Sequence, residues 1–598
     1  MRLGWTVVVG AALSAVPVGA FVLDWSSPVG PRQWDLVNPQ SHLGPNALIP
    51  VSTNVVNPVT RAVRFFVASD GWSSGNTAAE LNAVRAAFDE WQAVPGTALR
   101  FEDAGLVAPG VDVDETDNTN VVFWVKNTTL VAGGTADISG SLAQTFYAAA
   151  DDIMVGADIV LNGLQYPWFT TFDFSLPDVA GFFVEGVVAH ETGHFSGLEH
   201  SPLAATLMFF RGDYGVLTMP GLQSDEIAAA RFLYPQAGVL ATLGRIQGRV
   251  VFGAGGSVPG AVVVAESAAG GVCSATLSQA DGSFDLPALL PGSYNLRATP
   301  LDPQGASYYL VRSQDIVNAG MDPSYANAAT AFLPSASTPL SVVAGRTNTL
   351  TLAVSAGQPL RITHFLKPTT DPSQQVRVNG GFSAHLGSSN VLVAALGPNL
   401  PTSGATLAIT GDGLTVQPFA LTSAWSGLNI VAALVSVSTN ATPGLRSLIV
   451  TAGTNVAYAN GCFEIDPPFP DLNFDGLDDR FQRQYFPLFT APQAGPTADP
   501  DQDGFNNRYE FLAGTNPVDP KSFPLVKIDR VTLDAAGSSI TWRSVPGGQY
   551  QVWSRPQFSS RTAWKPIGAP VTATDYAAAF HDPTATNQFQ YYRVQVLE

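Results

Sequence analysis

Three of the seven histidines in this chain fall within one short stretch, His190-Glu191-Thr192-Gly193-His194-Phe195-Ser196-Gly197-Leu198-Glu199-His200, and that spacing narrows what the segment can fold into. A step of four residues puts His190 and His194 on one helix face, a turn apart. Apolar Phe182, Phe183, Val187 and Val188 lead into them, so the predicted helix is buried. Gly197 is able to take the positive φ that ends a helix and turns the chain back, which brings His200 to the same point. Three imidazoles with a fourth corner left open form the donor set of a catalytic zinc rather than a closed structural one. Glu191 then stands where a general base for a metal-bound water belongs. Paired helical histidines also occur as core residues, but the third histidine favours the metal.

The full pattern H-E-x-x-H-x-x-G-x-x-H is similar to the metzincin signature. Its surroundings resemble the matrixins within that group. Ala62–Val67 reads as a strand, and Ala78–Gln92 reads as a helix with Leu81, Val84, Phe88 and Trp91 at helical spacing. Asn120–Lys126 is a further strand, and Ala157–Leu161 resembles the edge strand along which a matrixin substrate lies. The histidine helix is predicted from about Pro177 to Phe195. Met208, with Ser201 after the third histidine, resembles the Met-turn beneath the zinc. Ser224, read as a capping serine, opens a helix similar to the closing helix of a matrixin catalytic domain. The resemblance implies an α+β metzincin catalytic domain over 58–236. It implies zinc on His190, His194 and His200, Glu191 as general base and acid, and Gly197 and Met208 as structural supports. It departs from the family in two places: no cysteine precedes Cys273, and no histidine lies between Ala132 and Asp158; position 210 is Phe, where astacins and serralysins place a tyrosine, which favours the matrixin-like branch.

Length implies more than this one domain. At 598 residues the chain outgrows a single core, and about four to five domains are expected. With 56 Gly, 44 Pro and 13% charged residues it reads as globular, turn-rich and mostly β. A net charge of -19 speaks against nucleic acid or anionic membrane as partner. Cys273 and Cys462 stand far apart, so no disulfide framework exists. Arg2, the apolar run Leu3–Val18 and the small residues Val18-Gly19-Ala20 read as a signal peptide over 1–20, followed by an N-terminal extension over 21–57. No later run is long and apolar enough to span a bilayer. The mature chain is therefore expected to be secreted or held at the cell surface.

Downstream, Gly248-Arg-Val-Val, Pro259-Gly-Ala261-Val, Asp281-Gly282-Ser-Phe284 and Leu290-Pro-Gly292-Ser-Tyr294 are apolar strands closed by turns. They resemble the carboxypeptidase regulatory-like β-sandwich, over 243–356. Residues 360–466 alternate short strands and turns and resemble Ig-like β-sandwiches. His364 and His385 within them have no neighbours that complete a site.

Residues 467–523 resemble EF-hand and dockerin-like calcium repeats. Asp499, Asp501 and Asp503, the Phe505 carbonyl and Glu510 fit the loop D-x-D-x-D-G-x5-E at each key position. Asp471, Asn473, Asp475 and the Leu477 carbonyl repeat it, with Gln482 in the twelfth place, so the first loop should hold calcium more weakly. Residues 524–598 read as a terminal all-β module. There Trp542, Trp553 and Trp564 either pack a sandwich core or line a carbohydrate face.

The expected architecture is thus multi-domain: an α+β metzincin catalytic domain, β-sandwich modules, a small calcium-loop segment and a terminal all-β module. The leading functional expectation is a secreted zinc metalloendopeptidase acting on protein or peptide substrates, with calcium in a structural role. The alternative is an adhesive surface protein that binds cell-surface or matrix components and carries an inactive metzincin domain.

Overall fold

The computed structural model describes residues 21–26, 30–37, 43–44, 47–48, 51–150, 152–172, 181–211, 221–317, 327–368, 375–378, 380–421, 427–522, 526–556, 563–585 and 590–597. The proposed signal segment 1–20 and Pro177 lie outside them. The chain is multi-domain and mostly β, with few helices.

The N-terminal domain holds strands β1 (Val63–Ala68), β2 (Phe101–Val107), β3 (Val121–Val125), β4 (Ala143–Ala150) and β5 (Ile153–Asn162), in the order β4-β5-β3-β1-β2. All neighbours are parallel except β4 and β5. Helix α1 (Thr77–Ala93) buries Leu81, Val84, Phe88 and Trp91 against this sheet and is followed at once by Pro95-Gly96. Helix α2 (Val184–Phe195) carries His190 and His194 and is buried along nearly its whole length. Helix α3 (Ser224–Leu233) closes the domain.

Two local expectations are corrected. Ala157–Leu161 is not the sheet edge, because β4 pairs antiparallel outside β5. The alanine-rich sequence of β4 gives little β signal by itself, and pairing with β5 creates the strand. Ser224 is not the helix cap, since its hydroxyl donates to the Val272 carbonyl at 2.8 Å. Instead the Glu226 carboxylate reaches back to the Gln223 N–H at 3.0 Å.

The N-terminal extension straps the turn after α2. Leu23 bridges to Leu198, the Asp24 N–H donates to the Gly197 carbonyl at 3.0 Å, and the Trp34 indole donates to the Phe195 carbonyl at 2.7 Å. Gly197 has a φ of +97°, and a Cβ there would overlap the Arg32 carbonyl.

The second module is a sandwich of two four-stranded sheets. One orders β9-β6-β13-β11, from β6 (Gly244–Phe252), β9 (Ser283–Leu289), β11 (Phe332–Leu333) and β13 (Thr347–Ala356). The other orders β8-β7-β10-β12, from β7 (Val262–Ser267), β8 (Val272–Leu277), β10 (Gly292–Thr299) and β12 (Thr338–Val342). The third module, residues 364–465, pairs a five-stranded sheet with a four-stranded one. Residues 467–522 contain no strand among those described, only a 3-10 turn at Pro492–Ala494 and two short α-helices, α4 (Asp479–Tyr485) and α5 (Asn507–Ala513), each following an acidic loop. The terminal module is two three-stranded sheets.

Cores run across the module boundaries. One joins the N-terminal domain to the second module, and another joins the second module to the third and to Leu203, Ala204 and Phe209. Arg297 forks onto Glu266 and donates to Ser447 and Asn460 of the third module, a buried charge with its partners in place.

Burial raises the Glu464 carboxyl to about 8, against one hydrogen bond from Gln223 at 2.8 Å. The folded chain therefore holds a proton there that the unfolded chain releases above its ordinary pKa near 4.5. Stability from this group is full at low pH and falls as pH rises from about 4.5 to 8. Glu464→Gln keeps the neutral form, so it should raise stability at pH 8 by roughly 1–3 kcal/mol and leave it unchanged at pH 5. Melting curves at the two pH values check this.

Candidate metal centres

The i, i+4 step on α2 and the tight Gly197 turn bring His190, His194 and His200 together. One ligand nitrogen from each lies within 4.8 Å of the others. Each ring is fixed from behind by a main-chain carbonyl on Nδ1: Leu207 on His190 at 2.7 Å, Leu198 on His194 at 2.7 Å and Asp315 on His200 at 2.8 Å. These partners assign the proton to Nδ1 and leave each Nε2 as a lone pair. Nε2 of His194 and Nε2 of His200 stand only 3.2 Å apart. Two lone pairs at that distance repel unless a cation lies between them. Burial, then the neighbouring His194, holds His190 down to about 3, and the same causes, with His190 added, hold His200 well below its ordinary value. Both shifts favour the neutral ring that a metal ligand must be. The donor set fits zinc.

Glu191 is buried beside the rings and accepts the Thr145 hydroxyl of β4 at 2.7 Å. Burial raises its carboxyl, opposed by His194 and Thr145. Met208 lies under α2, where a Cβ on Gly193 would strike its sulfur and methyl. Its N–H donates to Glu226 at 2.9 Å, and its carbonyl accepts from Ser201 at 2.7 Å. The centre opens into a cleft of about 950 Å³, which the second module also walls through Gln314, Asp315 and Ile316. Thr145, Asp315 and the strap at Leu23–Asp24 had no sequence signal, because each reaches the centre only through the tertiary fold.

In the second acidic loop, Asp499, Asp501 and Asp503 converge. Asp499 Oδ1, Asp501 Oδ2, Asp503 Oδ2, Asn507 Oδ1 and Glu510 Oε2 are buried acceptors without a hydrogen-bond donor. Five orphaned oxygens at positions one, three, five, nine and twelve are what a hard cation satisfies, so calcium fits this loop. Asn507, at the ninth position, is the ligand candidate that the sequence reading passed over. The Phe505 N–H donates to Asp503 at 2.8 Å. Glu510→Gln should weaken calcium binding at least about tenfold by removing one charged ligand. Isothermal titration of the chelator-treated chain reads this.

The first loop is wound more tightly on itself. Asp471 accepts from Asp475 and Gly476, and Asn473 and Gln482 both donate to Asp475 Oδ2. The Leu477 N–H donates to Asp475 Oδ1 at 2.8 Å. Asp479 Oδ1 and Gln482 Oε1 are left buried and unpartnered. Asp479 also faces a charge cluster beyond the loop. Arg483 on α4 forks onto Glu185, the second residue of α2, and lies over Phe172 and Phe489. Burial and the adjacent Glu185 raise Glu90 of α1 well above the carboxylate range.

Comparison with known proteins places one module. Residues 245–355 match the carboxypeptidase regulatory-like domain family. The match leaves residues 58–236 without a family assignment. No curated protein matches the chain. Parts of it are similar to the minor pilin GBS52 of Streptococcus agalactiae, at 12% identity and TM-score 0.13 over 21% of this chain and 48% of that one. The chain thus spans about half the length of GBS52. It is also similar to the major pilin subunit BcpA of Bacillus cereus, at 8% identity and TM-score 0.14 over 37% of this chain and 69% of that one. The RrgB pilus protein of Streptococcus pneumoniae gives 9% identity and TM-score 0.15 over 60% and 63%. The expectation of a secreted metalloendopeptidase is corrected here. The one family match falls on a β-sandwich outside the histidine domain.

Proposed function

We propose that the chain is an exported surface-binding protein. Its β-modules attach to cell-surface or matrix components, and its N-terminal domain, metzincin-like in layout, holds zinc on His190, His194 and His200. Calcium in the acidic loops stiffens the segment before the terminal module. The observation that carries this reading is the way the histidine centre is built into the neighbouring module. The ring of His200 is oriented by the Asp315 carbonyl, and the core beneath α2 continues into the second sandwich. Among the described residues, the β-modules contain no other group of metal ligands, so what they offer is surface. No helix among the described residues is long and apolar enough to cross a membrane.

The test uses the full chain loaded with zinc and calcium, applied to intact cells and to matrix preparations. Saturable binding that Glu191→Gln leaves unchanged is the expected result. Absence of binding, or casein degradation that disappears in Glu191→Gln, would overturn the reading.

A further inference from the structure

The terminal module separates its tryptophans. One sheet joins β14 (Ile528–Asp534), β15 (Gly537–Arg543) and β18 (Ala577–Asp582); the other orders β17-β16-β19, from β16 (Gln549–Arg555), β17 (Lys565–Thr572) and β19 (Tyr591–Leu597). Trp542 is fully buried between the two sheets, with Ile540, Tyr550, Val552 and Val594. Trp553 follows Val552 and so points the other way, out of the second sheet. There Trp553 pairs across the ladder with Arg593, and Arg555 with Tyr591. The Arg593 guanidinium lies 4.9 Å from the Trp553 ring and 5.2 Å from that of Trp564, and Arg555 lies 4.4 Å from Trp564. Arg593 is exposed, and Tyr591 is 42% exposed.

The charge on this face runs against the rest of the chain. Residues 524–598 carry seven Lys and Arg against five Asp and Glu, and the remainder carries 22 against 43. Strands β16, β17 and β19 contain no acidic residue at all. An exposed guanidinium held close to two indoles suits bidentate contact with a carboxylate or sulfate. Flat indole and phenol rings on the same face suit the apolar side of a pyranose ring.

We propose that the outer face of the sheet β17-β16-β19 binds anionic polysaccharide, with Arg593 and Arg555 meeting the acid groups and Trp553, Trp564 and Tyr591 the sugar rings. This inference rests on the surface-binding reading and names a partner for it. Neutral glycans lack the charge, and nucleic acid meets a chain that is strongly acidic elsewhere.

The experiment is retention and titration of the full chain, with calcium present, on heparin, alginate, dextran and single-stranded DNA. Heparin carries sulfate and alginate carboxylate, so these two arms distinguish the acid group. Retention on either or both, with none on dextran, is expected. Arg593→Gln should weaken it at least tenfold while the melting curve is unchanged. Gln595→Glu, which places a carboxylate on an exposed position of β19, should do the same without touching the stack, and it decides the matter if Arg593→Gln fails to fold. Equal retention on dextran or DNA, binding that both variants leave intact, or a self-association lost in Arg593→Gln would overturn the proposal. Adhesion to cells without retention on either polyanion would sink this inference and leave the surface-binding reading standing. Loss of both would remove both.

Discussion

His194→Ala is expected to leave the N-terminal domain without zinc. The wild-type chain should take up one zinc at this centre, measured by elemental analysis after dialysis against buffered metal. Losing a partner behind a ligand already costs about 10–100-fold in metal affinity, so losing one of only three direct ligands should cost at least about a hundredfold. His194 is the informative choice because it faces both partners: its ring centre is 4.9 Å from that of His190 and 4.8 Å from that of His200. Its carbonyl partner, Leu198, lies in the Gly197 turn that the N-terminal strap covers, so the turn stays in place when the ring is removed. Fold and metal binding therefore separate in this variant. Zinc retained at wild-type affinity would show that the three rings do not act as one donor set.

The second large effect is expected at Arg483, well away from the histidines. Arg483→Ala removes the cation that serves Glu185 directly and has Glu90 and Asp479 around it, all three acids buried. Deleting one partner of a buried pair costs about 3–5 kcal/mol, because the other is left uncompensated in low dielectric. In a domain of this size that lowers the melting temperature by roughly 6–20 °C. Glu185 lies in the first turn of the helix that presents His190, so zinc affinity should fall along with stability. A double variant, Glu185→Gln with Arg483→Met, removes both charges and should recover most of the loss. A single Arg483→Ala that melts like the wild type would show that the acidic-loop segment does not brace α2. Calcium chelation should act in the same direction, since Asp479 belongs to both the first loop and the cluster.

What could be read from the sequence was local. The histidines announce themselves because i, i+4 and a glycine turn are short-range geometry. The same holds for Asp499, Asp501, Asp503 and Glu510 of the second acidic loop, though not for Asn507. The carboxypeptidase regulatory-like module was legible because turn residues punctuate its strands at regular intervals. The carbonyls of Leu207 and Asp315 on the histidine rings carried no signal, since any residue offers a carbonyl and only the fold aims it. Strand β4 was missed because alanine is a poor strand former until β5 supplies a partner. The three tryptophans looked alike in sequence, and strand parity alone decides that Trp542 is core while Trp553 is surface. The functional expectation failed for a related reason. A motif specifies a donor set, whereas what the whole chain does depends on the modules built around that set.

The pairing of Glu185 with Arg483 spans 298 residues of chain. An emerging polypeptide therefore completes the histidine domain late, after both sandwiches and the first acidic loop have left the ribosome. Before that moment Glu185 and Glu90 have only water or protons to satisfy them. A gene fragment cut after residue 236 would produce a domain missing part of its own interior, prone to aggregation and poor at keeping metal. In this chain, the boundaries drawn by sequence similarity do not coincide with the boundaries of cooperative folding.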